Sequence, residues 1–301
     1  MSLQDFINKS RKQYEKHGSQ ALPGIVCDFA VSAASKVPYI SQFGTNVYSR
    51  EWDVLIILDA CRLDLYRSVV DSETDYIWSV GSSSEEWIQN TFENSDTSET
   101  AYITGNIFSR DYLSESDFHT LREVWKYGWD DDEGTIPPRP ITDEAIRTWR
   151  KSNPQKMIIH YMQPHFPAIG SVLNLDSGVS VDGFGRGGKK VDIWSEMRSG
   201  AIDTNKAWQA YRENLEYVLE ELDVIKENVD GKIAITADHG NSFGEWGSYG
   251  HPSGLQSPYL RRVPWDTYEC QDKGTYYPEE QEREDTSEDT VEERLESLGY
   301  V

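Results

Sequence analysis

Short continuous apolar runs alternate with longer amphipathic stretches along most of this chain. Residues 53–58, "DVLIIL", form a run of the kind shown by a strand buried on both faces. "DACRLDLYRSVVD" follows, and Leu63, Leu65, Tyr66 and Val69 recur there at mixed helical spacing. That pattern predicts strand, polar turn, helix. Further strands are expected at "DYIWSVG" (75–81), "TAYITGN" (100–106), "KMIIHYMQPHFP" (156–167), "KIAITA" (232–237) and "LRRVPWD" (260–266). "SSSEEWIQNTF" reads as a helix entered through serines. Residues 142–151 read as a helix capped by Thr142. The longest periodic stretch is 203–229, where Trp208, Tyr211, Leu215, Val218, Leu219, Leu222 and Ile225 recur at three- and four-residue steps. Strands alternating with helices predict an α/β fold with a largely parallel sheet, whose sites gather at the carboxyl ends of the strands. The expected organisation is an N-terminal helical extension (1–50), an α/β catalytic domain (51–270), and an acidic tail with a C-terminal helix (271–301). Residues 168–200, rich in Gly, Ser and Asp, are expected to form a long surface insertion, and 271–289 to lack structure.

Composition narrows the function classes. The formal charge is −23, from 52 acidic and 29 basic residues. A nucleic-acid surface is excluded, since the phosphate backbone would be repelled, and so is docking on anionic lipid. The tail does not account for the acidity: residues 279–301 carry −8, leaving −15 on the rest. Adaptation to high salt explains that better, because charge repulsion is screened within about 3 Å at 1 M salt. Three cysteines, Cys27, Cys61 and Cys270, form no close pair, which fits a reducing compartment. No secretory h-region is visible, and Ile25 to Ile40 is too short and polar to span a bilayer. The expectation is a cytoplasmic protein without a transmembrane segment.

Four polar clusters follow expected strands: Asp59 to Arg62, Ser82 to Ser84, His160 to His165, and Asp238 with His239. A lone carboxylate at a strand end is ordinary helix capping. Two, one with an adjacent His, describe a carboxylate-rich pocket for a divalent ion: Zn, Mn, Ca or Mg. A serine at a helix start sits where N–H groups and the helix dipole favour an anion, although simple N-capping by any of the three serines explains it locally. His160, inside a strand, reads as a packed core residue. Arg62 is a candidate for binding a substrate anion, against pairing with Asp64 or a backbone carbonyl.

"LIILDACR", "GSSSEEW", "HYMQPHFP" and "ADHGNSFGEWGSYGHP", in this order, resemble the sulfatase branch of the alkaline phosphatase superfamily. The "RLESLGYV" ending is similar to that of prokaryotic sulfatase-like chains, and the acidic style resembles haloarchaeal members. The resemblance implies a three-layer α/β/α sandwich with a metal-bound nucleophile at a helix start. By position it implies Asp59, Asp238 and His239 as metal ligands and Ser84 as nucleophile. It further implies His165 and His251 as the histidines that bind the transferred anionic group or the metal.

Departures from the family pattern matter. Neither Cys-x-Pro-x-Arg nor Ser-x-Pro-x-Arg occurs, so a formylglycine mechanism is not expected. Residue 60 is Ala where many sulfatases have a second Asp, and Gln163 stands where another acid is expected. A single metal follows as the expectation. The function expected is a metal-dependent hydrolase of sulfate or phosphate esters, acting on an anionic ester of a glycan or lipid. The alternatives are a phosphodiesterase or phospho-headgroup transferase, or a catalytically inactive binding module.

Overall fold

Strand β1 (Val54–Leu58) is apolar at every position because both of its faces are covered; all five residues are fully buried. The computed structural model describes residues 44–70, 72–170 and 193–279, with a few isolated positions nearer the N-terminus. Within it β1 lies between two parallel neighbours, β5 (Lys156–Tyr161) and β6 (Gly231–Thr236). β3 (Thr100–Thr104) and β4 (Thr120–Glu123) extend the sheet beyond β5 in the same direction. On the other side β9 (Arg262–Cys270) pairs antiparallel with both β6 and β2 (Asp75–Trp78). The order is β2-β9-β6-β1-β5-β3-β4, a mixed and mostly parallel seven-stranded sheet. A separate short hairpin joins β7 (Ser242–Phe243) to β8 (Tyr249–Gly250).

Helices cover both faces, and the alternation within β5 shows it. His160 faces one layer, its ring 5.6 Å from Trp87 of α2 (Ser84–Phe92). Tyr161 faces the other, its hydroxyl 2.8 Å from Thr142 Oγ1 of α4 (Pro138–Ser152). α1 (Leu63–Val70) and α6 (Thr204–Lys226) pack together in the α4 layer, while the short α3 (Ser109–Tyr112) lies beside α2. This is the expected three-layer α/β/α arrangement. Each fully buried Ile or Leu in its two interfaces contributes about 1.5–3 kcal/mol.

Several elements differ from the sequence expectation. α4 begins four residues before Thr142, because prolines at 138 and 140 suit a first helical turn that needs no N–H donors. Thr142 therefore bonds across to the sheet and does not cap. β4 was not expected: "TLRE" has no apolar run, since an edge strand buries little. Asp203 caps α6, accepting from the N–H groups of Asn205 (2.9 Å) and Lys206 (3.1 Å). The expected insertion contains a helix, α5 (Ile193–Ser199), whose Trp194 packs on Phe166 and Phe243. Residues 271–279 are irregular but pinned: Arg150 pairs with Asp272 at 2.9 Å, and Tyr276 donates to Asp143 at 2.8 Å. The last short helix, α7 (Pro258–Arg261), leads into β9. The rest of the expected insertion, most of the N-terminal extension and the expected helix at 290–298 lie outside the described residues.

Candidate active site

Strand register builds the centre of the site. Ile57 of β1 lies opposite both His160 of β5 and Thr236 of β6. Continuing the β1–β6 register by two residues brings Asp59 beside Asp238, just past the carboxyl ends of their strands. Both are completely buried, as are His160 and His239. Asp59, His160 and Asp238 each offer a ligand atom, and these atoms all lie within 4.8 Å of one another. His239 adds its Nε2 at 3.4 Å from Asp238 Oδ2 and 3.7 Å from Asp59 Oδ1.

The residues present fit a divalent cation. Asp59 Oδ1 and His160 Nε2 are buried without a hydrogen-bond partner, a state that destabilises the fold unless something satisfies it. Two carboxylates side by side at zero exposure also resist joint ionisation. Burial, then the neighbouring Asp238 charge, pushes the Asp59 carboxyl well above the usual range. Burial works in the same direction on Asp238, but His239, then His160, outweigh it and hold that group well below the usual range. A cation between them removes the conflict. The His239 ring is oriented for ligation, since its Nδ1 donates to the Gly240 carbonyl at 2.9 Å and leaves the Nε2 lone pair facing the carboxylates. His160 is held likewise, by Tyr102 at 2.8 Å from its Nδ1.

The three serines divide their work. Ser83 caps α2, accepting from Glu86 N at 3.4 Å. Ser82 donates to the Glu86 carboxylate at 2.8 Å. Ser84, in the first turn, turns inward: its hydroxyl donates to Asp238 Oδ2 at 2.6 Å and lies 3.2 Å from His239 Nε2 and 3.4 Å from Asp59 Oδ2. Gly81 permits this close approach, because a Cβ there would stand 2.4 Å from Trp87 N. The turn after Asp59 is strained in turn. Ala60 has φ 61°, donates its N–H to Asp238 Oδ1 at 2.9 Å, and accepts from the Tyr211 hydroxyl.

His165 and His251 form the outer part. Their Nε2 atoms are 3.0 Å apart, and the His251 ring centroid is 4.5 Å from that of His239. The hairpin therefore does fold His251 back towards the carboxylates. Burial, followed by the neighbouring His239, lowers His165 to about 4 and holds His251 well below its ordinary value. Both rings are neutral near pH 7.

Not every expected residue lies here. Arg62 is turned away from the carboxylates: it pairs with Asp64 and with Glu245, each at 2.6 Å, and stacks on Trp208 and Tyr259. Its charge is thus committed to Asp64, Glu245 and the Asn241 carbonyl, the kind of pairing weighed against substrate binding. Gln163 donates to the Ile136 carbonyl at 3.0 Å. Two residues were missed. His160 is a member of the metal-binding cluster and not merely core; its place directly after "MII" at the end of a strand was the available signal. Asn106 donates to Asp59 Oδ2 at 2.8 Å from the loop after β3, and nothing local distinguished it.

A mostly parallel sheet between helical layers, with strand-end carboxylates and histidines around a helix-start serine, defines the alkaline phosphatase and sulfatase fold class. The cluster of Asp59, His160 and Asp238 within it fits a divalent cation. The chain is similar to the soluble domain of lipooligosaccharide phosphoethanolamine transferase A from Neisseria meningitidis (11% identity, 72% of this chain, 76% of that one, TM-score 0.45). It is also similar to the C-terminal periplasmic domain of phosphoethanolamine transferase EptC from Campylobacter jejuni (14%, 71%, 78%, TM-score 0.43). Against the integral membrane form of the Neisseria meningitidis enzyme it matches at 12% identity and TM-score 0.44, with 89% of this chain covering 58% of that protein. No family model matches the chain, and no curated protein matches it. These likenesses extend to fold alone; the similar structures are transferases and the EptC domain is periplasmic, so the expectation of a cytoplasmic hydrolase finds no support among them. The haloarchaeal sulfatase assignment narrows to the superfamily fold. No helix among the described residues is long and apolar enough to cross a membrane.

Proposed function

We propose that this chain is a metal-dependent enzyme that moves a phosphoryl-type group from an anionic ester by way of Ser84. The observation that carries this reading is the Ser84 hydroxyl, 2.6 Å from Asp238 Oδ2 and 3.2 Å from His239 Nε2 in the first turn of α2. Asp59, His160 and Asp238 would hold the cation, with His239 completing the set. When bound, the cation supplies positive charge that lowers the hydroxyl pKa and offsets the charge of the ester. Ser84 Oγ attacks phosphorus while its proton passes to a neutral imidazole, His165 or His251, and that imidazolium returns the proton to the leaving oxygen as it departs. In the second half, an acceptor hydroxyl attacks the serine ester while the same imidazole takes its proton and returns it to Ser84 Oγ as the serine is released.

The finer reading is a phospho-headgroup transferase acting on a glycan or lipid ester, in preference to a simple hydrolase. The burial of Asp59, Ser84, His165, Asp238 and His239 supports it, because a serine ester shielded from bulk water survives until an alcohol or amine arrives. A substrate panel tests both levels. Metal-loaded protein is given aryl sulfate, a phosphomonoester and a phosphodiester, each with and without an alcohol acceptor. Transfer of the headgroup is the expected product. Release to water alone removes the transferase reading, and turnover of none of the three removes the enzyme.

A further inference from the structure

Asn241 is completely buried, and neither its Nδ2 nor its Oδ1 has a hydrogen-bond partner among the described residues. Such an amide opposes folding unless a ligand satisfies it. The backbone around it, in contrast, is firmly held. The Asn241 carbonyl accepts from Arg62 Nη1 at 3.1 Å, Arg62 Nη1 also binds Glu245 Oε1 at 2.6 Å, and the other Glu245 oxygen accepts from Phe243 N at 2.6 Å. A loosely placed loop does not explain the partnerless amide.

Its position in the fold suggests what the amide is for. In the β7–β8 hairpin Ser242 pairs with Gly250. One residue further along that register, Asn241 lies across from His251, and cross-strand partners share a face. His251 in turn sits 3.0 Å from His165 and stacks near His239. The amide is therefore carried on the rim where the transferred group must sit.

We propose that the Asn241 side-chain N–H donates to an anionic oxygen of a tetrahedral phosphate-type group bound between Ser84 and the His165–His251 pair. This rests on the reading of the site as one that transfers such a group. A neutral amide suits that role, because it adds a directed donor without the repulsion of a carboxylate of the same size.

Calorimetric titration of metal-loaded protein with inorganic phosphate, paired with thermal melts, tests it. Wild type binds phosphate. Asn241→Leu and Asn241→Asp each bind at least about tenfold more weakly, as loss of a hydrogen bond to a charged group requires. Asn241→Leu melts at or above wild type, since it removes an amide with nothing to bond. Asn241→Ala serves if the leucine does not fit. Unchanged phosphate affinity in the variants overturns the inference while leaving the site reading intact. Melting points that fall together with affinity in every variant also overturn it, by giving Asn241 a structural role. Wild type that binds no phosphate overturns the anion reading of the site and this inference with it.

Discussion

Asp59 and Asp238 end neighbouring parallel strands, whereas His165 and His251 ride on segments that leave the sheet. The first pair is placed by backbone register alone: once β1 lies between β5 and β6, the carboxylates must meet. The second pair depends on the loop after β5 and on a two-residue hairpin braced by Arg62 and Glu245. Their electrostatics differ too. The carboxylates are driven apart in ionisation: burial and the Asp238 charge push Asp59 up, while His239 and His160 hold Asp238 down against its burial. The histidines are both driven towards neutrality. The rigid part of the site therefore provides fixed charge, and the loop-borne part provides neutral donors and acceptors.

The largest break in this comparison comes at the point where everything converges on the sheet side. Ser84→Ala is expected to lower kcat by at least about a thousandfold, with the melting temperature within a few degrees of wild type. Near-normal turnover would exclude Ser84 as the nucleophile. Next, Asp238→Asn should strip the cation: mass spectrometry of purified protein should find one tightly held ion per wild-type chain and less than about a tenth of that in the variant. Two tightly held ions in wild type would contradict the single-metal expectation.

His165→Ala should cost less, about 10²-fold in kcat, while the metal stays bound. Loss of metal in that variant would merge the two parts into one. In chelator-treated protein, His165 makes a signed pH prediction. Its folded value of about 4 lies below its ordinary 6.5, so unfolded chains take up protons that the folded state refuses. Stability is full above about 6.5 and declines as pH falls towards 4. His165→Phe should flatten that decline in urea melts. The smallest effect is general. With −23 formal charges, the melting temperature should rise steadily between 0.1 and 2 M salt as self-repulsion is screened; a fall would argue that specific ion pairs dominate.

Much of the site was legible because its chemistry sits at pattern breaks. Asp59 interrupts "LIIL", Asp238 interrupts "IAIT", and each polar residue after an apolar run marks a strand end. His160 was misjudged because it lies inside a run: its place near the strand end was visible, but only its register against Ile57 and Thr104 sets it beside the carboxylates. Asn106 and Asn241 belong to loops without periodicity, and loop side chains take their meaning from what lies across space. For Arg62 the pairing with Asp64 was legible two residues away, but its second partner Glu245, 183 residues away, was not.

The sequence by itself determined the alternation of the main buried strands with the longer helices, the excess of acid, and the residue types able to bind a cation, because hydrophobic period and local capping chemistry are short-range. Only the tertiary structure decided which of three adjacent serines faces the carboxylates and that His251 returns to within reach of His165. It alone decided that one buried Asp is driven up and its neighbour down. Those outcomes depend on strand register, hairpin pairing and exclusion of water, which arise only when distant segments are packed together.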